Sequence, residues 1–237
     1  MKTKNKILII ISIALVAAIV ASCVYVFGFY LPDKKERAEY EQMIKAYYAS
    51  KLSSYKDENE RYADYEVDVA FLGDSLTDGY DVAQYYPQYT VANRGIGGET
   101  TYGLEERMSV SLYELKPKVA VILIGVNNIN TMFDNYESML VDIKEQLPET
   151  KIVICSLTAM GRDWGHKNQL ATYNNVIIKK LADKHGMEFV DLYTPLFNEA
   201  TGEIYDAYTT DGGHLTPLGY EVLTAAITPK LEKLLGR

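Results

Sequence analysis

Cysteine, histidine and tryptophan are scarce in this sequence. The 237 residues include two Cys, three His and one Trp. Cys23 lies in an apolar N-terminal run and Cys155 in a predicted buried strand, so we expect no disulfide between them. No CxxC pair and no His/Cys cluster, the usual ligand sets of zinc, occurs in the sequence. We therefore predict neither a metal nor another cofactor.

Positive charge is also in deficit. The formal net charge is -8, and because residues 1–6 carry three Lys, residues 7–237 carry -11. An acidic domain is repelled by phosphate backbones and by anionic lipid surfaces, which argues against a nucleic-acid partner. With 48% hydrophobic and 24% charged residues, the composition is typical of a folded globular domain rather than a disordered chain.

One long uncharged run stands out at the N-terminus. Residues 1–6 form a basic head, and residues 7–31 contain no charge. A helix of this length would extend about 37 Å and could cross a bilayer core of about 30 Å. We expect a cytoplasmic head and a transmembrane signal anchor at 7–31 that places the domain outside the cytoplasm. Alternatively, VASC fits a lipobox with lipid attached at Cys23, or the signal is cleaved conventionally.

A charged segment without Gly follows, from residue 32 to residue 65. Apolar residues recur along it near helical spacing: Tyr40, Ile44, Tyr47, Leu52 and Tyr55. This pattern predicts an amphipathic spacer helix that either packs on the following domain or lifts it off the membrane.

Residues 66–237 alternate between short apolar runs and helical stretches. The apolar runs cover 67–73, 89–95, 119–125, 151–158 and 187–193. The predicted helices cover 101–115, 136–147, 168–185 and 216–235. Such alternation predicts one α/β domain, a three-layer α/β/α structure with a doubly wound, five-stranded parallel sheet.

In such sheets, ligands bind at the carboxyl ends of the strands. Three segments should therefore meet there: 73–75, 93–98 and 125–128. Ser75 sits in the strand-to-helix turn of FLGDSLTDG, where its hydroxyl would be exposed. A Ser hydroxyl is a weak nucleophile unless a base takes its proton.

Three His residues are candidates for that base. His185 precedes Gly186 at a predicted helix end, where a cap explains it, and His166 lies in a loop. His214 follows Asp211 by three residues, a spacing that lets the carboxylate hold one imidazole nitrogen while the other faces outward. A DxxH string is also common in surface loops, and one Asp and one His are too few to hold a metal.

Ester cleavage also needs donors aimed at the developing oxyanion. Gly98, in NRGIGGET, could present its backbone N–H without a side chain in the way. Asn127, in LIGVNN, offers a side-chain amide. Each signal is weak alone, because Gly-rich turns also bind phosphate or simply turn the chain.

Four blocks occur together in order: GDSLTDG, NRGIGGET, GVNN and DGGHLTPLGY. Over residues 67–235 they resemble the SGNH, or GDSL-type, hydrolases, which implies a flavodoxin-like fold. The second and fourth blocks are similar to the alpha subunits of platelet-activating factor acetylhydrolase and their bacterial relatives. Many members have Asp after the Asn of the third block, where this chain has Asn128.

The resemblance implies a role for each site residue. Ser75 would be the nucleophile and, through its backbone N–H, one oxyanion donor. Gly98 would be a second donor through its backbone and Asn127 a third through its side chain. His214 would be the general base and Asp211 its partner.

We therefore expect an extracytoplasmic serine esterase that removes short, acetyl-like groups from carbohydrate, cell-wall or lipid esters. Its partners would be a small-molecule or glycan ester and, through residues 7–31, the cell membrane. One alternative is an O-acyltransferase that acts on a cell-surface glycan. A second is a non-catalytic binding protein on the same fold. The sequence leaves the oligomeric state open.

Overall fold

The computed structural model describes residues 31–236 and, before them, positions 15, 18–19, 21–23, 25–26 and 28. The chain divides into two compact units, Met1–Ser50 and Lys51–Arg237. The predicted basic head at 1–6 lies outside the described residues, as does much of the predicted anchor at 7–31. In the described part of the chain, no helix combines the length and the apolar character that a membrane crossing requires.

The second unit alternates strands and helices, as the sequence predicts. After a long helix α1 (Leu31–Asn59), the strands are β1 (Val69–Gly73), β2 (Val91–Gly95), β3 (Val119–Leu123), β4 (Lys151–Cys155) and β5 (Glu188–Val190). The helices are α2 (Ser75–Asp78), α3 (Val82–Tyr85), α4 (Thr101–Glu106), α5 (Tyr136–Gln146), α6 (Asn168–His185) and α7 (Pro217–Leu235). A short hairpin is formed by β6 (Phe197–Asn198) and β7 (Glu203–Ile204).

The five strands β1–β5 form one parallel sheet in the order β2-β1-β3-β4-β5. Alternate residues of each strand enter different cores, because successive side chains point to opposite faces. Leu72 and Ile122 pack with α5 and α6, whereas Phe71 and Val121 pack with α7. The sheet therefore lies between two helical layers, and the predicted three-layer α/β fold with five parallel strands is confirmed.

Several predicted elements end earlier in the structure, among them one helix and the strand β4. The single helix predicted over 101–115 is wrong, because α4 stops at Glu106 and a separate π-helical turn covers Ser109–Tyr113. Arg107 follows α4 at φ -101 and ψ 9, outside the regular helical angles, and its guanidinium turns inward onto backbone carbonyls. Strand β4 stops at Cys155, which is buried as predicted, although the predicted run continues to residue 158.

The last turns of α1 cover the edge strand β2. The Tyr55 hydroxyl donates to the carbonyl of Gly95 at 2.5 Å, and Glu58 pairs with Arg94 at 2.6 Å. Such cover protects the unpaired edge of a sheet. From the sequence we predict that the spacer helix extends to residue 65 and that the domain starts at residue 66. The compact unit instead starts at Lys51, because these contacts hold the helix end on the sheet.

Candidate active site

A cleft of about 340 Å³ opens at the carboxyl ends of the strands. Its wall includes Ser75, Gly98, Val126, Asn127, Trp164 and His214. The predicted meeting of the three segments that follow β1, β2 and β3 is therefore confirmed. This is the position at which open parallel sheets generally bind ligands.

The turn that carries Ser75 is fixed by the residue before it. Oδ1 of Asp74 accepts a hydrogen bond from the Leu76 amide at 3.0 Å, and the Asp74 side chain so caps α2. Because the helix begins directly at Ser75, the Ser75 amide belongs to its first turn, where N–H groups lack a carbonyl partner within the helix. The turn therefore places both the hydroxyl and the amide of Ser75 at the cleft.

A continuous line of hydrogen bonds joins Asp211, His214 and Ser75. The Nδ1 of His214 lies 2.7 Å from Oδ2 of Asp211, and its Nε2 lies 3.1 Å from Oγ of Ser75. Since Nδ1–H donates to the carboxylate, Nε2 carries the lone pair that accepts the Ser75 hydroxyl proton. This geometry is the one that a nucleophile, a base and an orienting acid require.

The Asp211 carboxylate also shapes its own loop. Its Oδ1 accepts hydrogen bonds from the backbone amides of His214 at 2.7 Å and Gly213 at 2.9 Å. Partial burial opposes ionisation, but the hydrogen bonds from His214 and Gly213 outweigh it and lower the pKa of Asp211 to about 2. At neutral pH this carboxylate is therefore an anion that orients the imidazole and can stabilise its protonated form.

Gly98 and Asn127 line the cleft beside Ser75. Gly98 has φ +78, in the left-handed region that favours glycine, and a Cβ there would have no atom within 4 Å. Asn127 donates one amide hydrogen from Nδ2 to the Glu99 carbonyl at 2.8 Å. An Asn amide has two hydrogens, so this bond fixes the plane of the amide while the second N–H remains for a ligand.

The other two His residues have structural partners. Nε2 of His185 lies 2.7 Å from Oε1 of Glu137, and Gly186 ends α6 in the predicted cap at φ +66. Nδ1 of His166 lies 2.7 Å from the carbonyl oxygen of Asp163. Neither ring lines the cleft.

Asn128, the departure from the usual pattern, ties its loop to the start of α4. Its Oδ1 accepts from the Thr101 amide at 3.2 Å, and its Nδ2 donates to the Thr101 hydroxyl at 2.8 Å. A side-chain amide can make both bonds because it has a donor and an acceptor, whereas a carboxylate offers acceptors alone. Asn128 therefore affects loop geometry rather than the cleft itself.

Sequence reasoning missed the part of the cleft wall that follows β4. Trp164 packs against Gly213, where a Cβ would lie 3.1 Å from atoms of the indole ring, and its ring centroid lies 6.5 Å from that of His214. The Lys167 ammonium lies 4.6 Å from the Trp164 ring centroid, a cation–π distance. The available signal was the single Trp of the chain, placed in a polar loop.

The cleft offers no evident set of metal ligands. Among the residues that the structure describes, no group of three or more His, Cys, Asp or Glu side chains is arranged to hold a metal ion. The groups at the cleft are instead a hydroxyl, an imidazole and amide donors, which together suit acyl transfer through a covalent intermediate.

Comparison with known proteins gives a consistent family. The GDSL-like lipase/acylhydrolase family model matches residues 71–222. The human platelet-activating factor acetylhydrolase IB subunit alpha1 is 26% identical over 187 residues, which covers 73% of this chain and 79% of that protein. The corresponding alpha2 subunit of Rattus norvegicus is 28% identical over 182 residues, again covering 73% and 79%.

Solved structures share the fold. A GDSL-like lipase from Bacteroides thetaiotaomicron is 26% identical with a TM-score of 0.68, covering 77% of this chain and 97% of that one. An acetylxylan esterase from Geobacillus stearothermophilus is 23% identical with a TM-score of 0.58, covering 71% and 95%, a likeness of fold alone. The segment matched by the family model spans more than half of the chain and includes every residue of the cleft wall named above. The chain belongs to the GDSL-like lipase/acylhydrolase family of hydrolases.

Proposed function

We propose that this chain is a serine esterase with Ser75 as nucleophile, His214 as general base and Asp211 as the orienting acid. The observation that carries the proposal is the hydrogen-bond line from Asp211 through His214 to Ser75, at 2.7 and 3.1 Å, which ends at the cleft. Gly98 and Asn127 stand on the same cleft as donors for the oxyanion.

The reaction proceeds in two acyl transfers. Oγ of Ser75 attacks the ester carbonyl carbon while Nε2 of His214 takes its proton, and the carbonyl electron pair moves to the oxygen. The amides of Ser75 and Gly98 and the side chain of Asn127 hold that O⁻. Collapse breaks the bond to the alcohol oxygen, which leaves with the proton from His214.

Water then completes the cycle. It attacks the acyl-enzyme carbonyl carbon as His214 takes one of its protons. Collapse of the second oxyanion breaks the bond to Ser75, which recovers its proton from His214, and the carboxylic acid leaves. Asp211 stays ionised throughout, in line with its pKa of about 2.

We further propose short, acetyl-like acyl groups on carbohydrate, cell-wall or lipid alcohols as the substrate class. The cleft of about 340 Å³ has to hold the reacting carbonyl with part of the alcohol, which favours a small acyl group. The curated relatives in the comparison are named acetylhydrolases, in keeping with release of a two-carbon acyl group.

The decisive experiment is an ester panel on the purified, detergent-solubilised full chain. p-Nitrophenyl esters of increasing acyl length are compared with acetylated glycans, and labelling by a fluorophosphonate is followed in parallel. We expect the highest kcat/KM for acetyl and no turnover above background for Ser75→Ala. Ser53→Ala, on an exposed part of α1, is the matched control. Full turnover or labelling of Ser75→Ala protein would contradict the assignment of Ser75 as the nucleophile. Preferential transfer of the acyl group to an added glycan would show that the enzyme is a transferase.

We also propose that residues 7–31 anchor the enzyme in the cell membrane with its catalytic unit outside the cytoplasm. The support is the uncharged run of 25 residues behind a basic head. Membrane fractionation and protease accessibility of the full chain in intact cells test this. Release of the anchored form by Cys23→Ser would favour lipid attachment at Cys23 instead.

A further inference from the structure

A buried ion pair lies next to the oxyanion donors. Nε of Arg107 lies 2.8 Å from Oε2 of Glu99, and the two residues are only 3% and 6% exposed. A buried charge costs several kcal/mol unless it is paired and its remaining hydrogen-bonding groups are satisfied. The proposed catalytic steps use neither residue, so the pair calls for another explanation.

The remaining donors of Arg107 reach the ends of two strands. Nη2 donates to the carbonyl of Gly73 at 3.0 Å, at the end of β1 and two residues before Ser75. Nη1 donates to the carbonyl of Arg94 at 2.9 Å, in β2, and to the Ser111 hydroxyl at 2.8 Å. One rigid guanidinium fork therefore joins the nucleophile strand to the strand that leads into Gly98.

Glu99 links the Arg107 guanidinium to the other two oxyanion donors, Gly98 and Asn127. It directly follows Gly98, and its carboxylate accepts from the Thr100 amide at 3.0 Å as well as from Arg107. Its backbone carbonyl accepts the 2.8 Å bond from Asn127 Nδ2 that sets the plane of that amide. A shift of Glu99 would move both Gly98 and Asn127.

We infer that Arg107 and Glu99 are positioning residues, which hold the three oxyanion donors of Ser75, Gly98 and Asn127 in one fixed geometry. The inference rests on the proposed esterase function. Neither residue lines the cleft, and both act through backbone groups of the segments that do. Preorganised donors of this kind stabilise charge without having to reorient during the reaction.

The expected kinetic signature follows from when the oxyanion exists. Because the bound ester carries no oxyanion and the charge develops only during attack on the carbonyl, displaced donors lower kcat and leave KM within about two-fold. A misplacement of about 1 Å can reduce the rate about 10²-fold. Arg107→Lys keeps the charge but loses the fork, so we expect kcat to fall about 10²-fold. Glu99→Gln keeps the shape and one acceptor, and we expect a smaller loss of about ten-fold.

The test compares these variants with Glu58→Gln on p-nitrophenyl acetate, well below each thermal midpoint. Glu58→Gln breaks the 2.6 Å pair with Arg94, whose side chain is 0% exposed and whose guanidinium donates to Asn93 and Asn59. It controls for the loss of a pair to a buried arginine, and we expect it to lower the midpoint while kcat stays within about two-fold.

A double-mutant cycle with Asn127→Ala gives the second readout. If Arg107 acts partly through Asn127, Arg107→Lys costs a smaller factor in the Asn127→Ala background than in the unaltered chain. The inference fails if folded Arg107→Lys keeps full kcat, if KM rises by the whole factor, or if Glu58→Gln loses kcat equally. Absence of both turnover and fluorophosphonate labelling in the unaltered chain would overturn the esterase proposal as well.

Discussion

Replacement of Asp74 by Asn should change how stability depends on pH. Asp74 is 1% exposed, and burial raises the pKa of its carboxyl from 3.8 to about 7, with a smaller contribution from Glu99 in the same direction. The unfolded chain releases this proton near pH 4, whereas the folded chain keeps it until about pH 7. The folded state therefore binds more protons in this window, and the free energy of unfolding falls as pH rises.

The size of this loss in the free energy of unfolding follows from the shift in the pKa of Asp74. About three pKa units at about 1.4 kcal/mol each amount to about 4 kcal/mol, lost between pH 4 and pH 7. Asn is neutral throughout and can still accept the Leu76 amide hydrogen bond that caps α2. The free energy of unfolding of Asp74→Asn should therefore equal that of the unaltered chain near pH 4. Above pH 7 it should be higher by about 4 kcal/mol.

Urea unfolding of both proteins from pH 2 to pH 8 measures this difference directly, and contributions from carboxyls that do not interact with Asp74 cancel in it. Asp211→Asn is the control, because the Asp211 carboxyl affects the pH dependence of stability in the opposite direction. The pKa of Asp211 is lowered to about 2, so its carboxylate stabilises the fold above pH 4 and that contribution is lost as pH falls toward 2. A constant difference between Asp74→Asn and the unaltered chain over the whole range would refute the reasoning.

Three further predictions concern the same unit. Asn127→Ala removes one proposed oxyanion donor and should lower kcat by about 10²–10³-fold while measurable turnover remains. Asp211→Asn should lower kcat by about 10⁴-fold, because an amide no longer holds the imidazole in the required tautomer, and esterase assays at constant pH would show it. Tyr55→Phe should lower the free energy of unfolding by about 1 kcal/mol, because the hydrogen bond from the Tyr55 hydroxyl to the Gly95 carbonyl is lost. Denaturant titrations measure this loss, and Tyr40→Phe, on an exposed part of α1, should leave the free energy of unfolding unchanged.

The sheet could be predicted because its strands are short apolar runs between helical stretches, and burial on both faces makes such runs nearly continuous. The break after α4 could not, since Arg107 looks like any helix-forming residue until the carbonyls of Gly73 and Arg94 are brought beside it. The docking of α1 on β2 depends likewise on partners distant in sequence, such as Glu58 with Arg94. Two-residue strands such as β6 and β7 carry no periodicity that a sequence could reveal.

The site shows the same division between local and tertiary causes. Ser75, Gly98 and Asn127 follow β1, β2 and β3, three neighbouring strands whose register pairs Gly73 with Gly95 and with Leu123. Their meeting follows from the parallel sheet itself.

His214 and Asp211 follow no strand, and the four-block resemblance was needed to identify them. Trp164 lies in the loop after β4, in a part of the cleft wall for which no residue was predicted from the sequence. Substitutions at Trp164 should therefore alter which alcohol or acyl group fits the cleft, because the loop can vary while the sheet holds the proposed oxyanion donors in place.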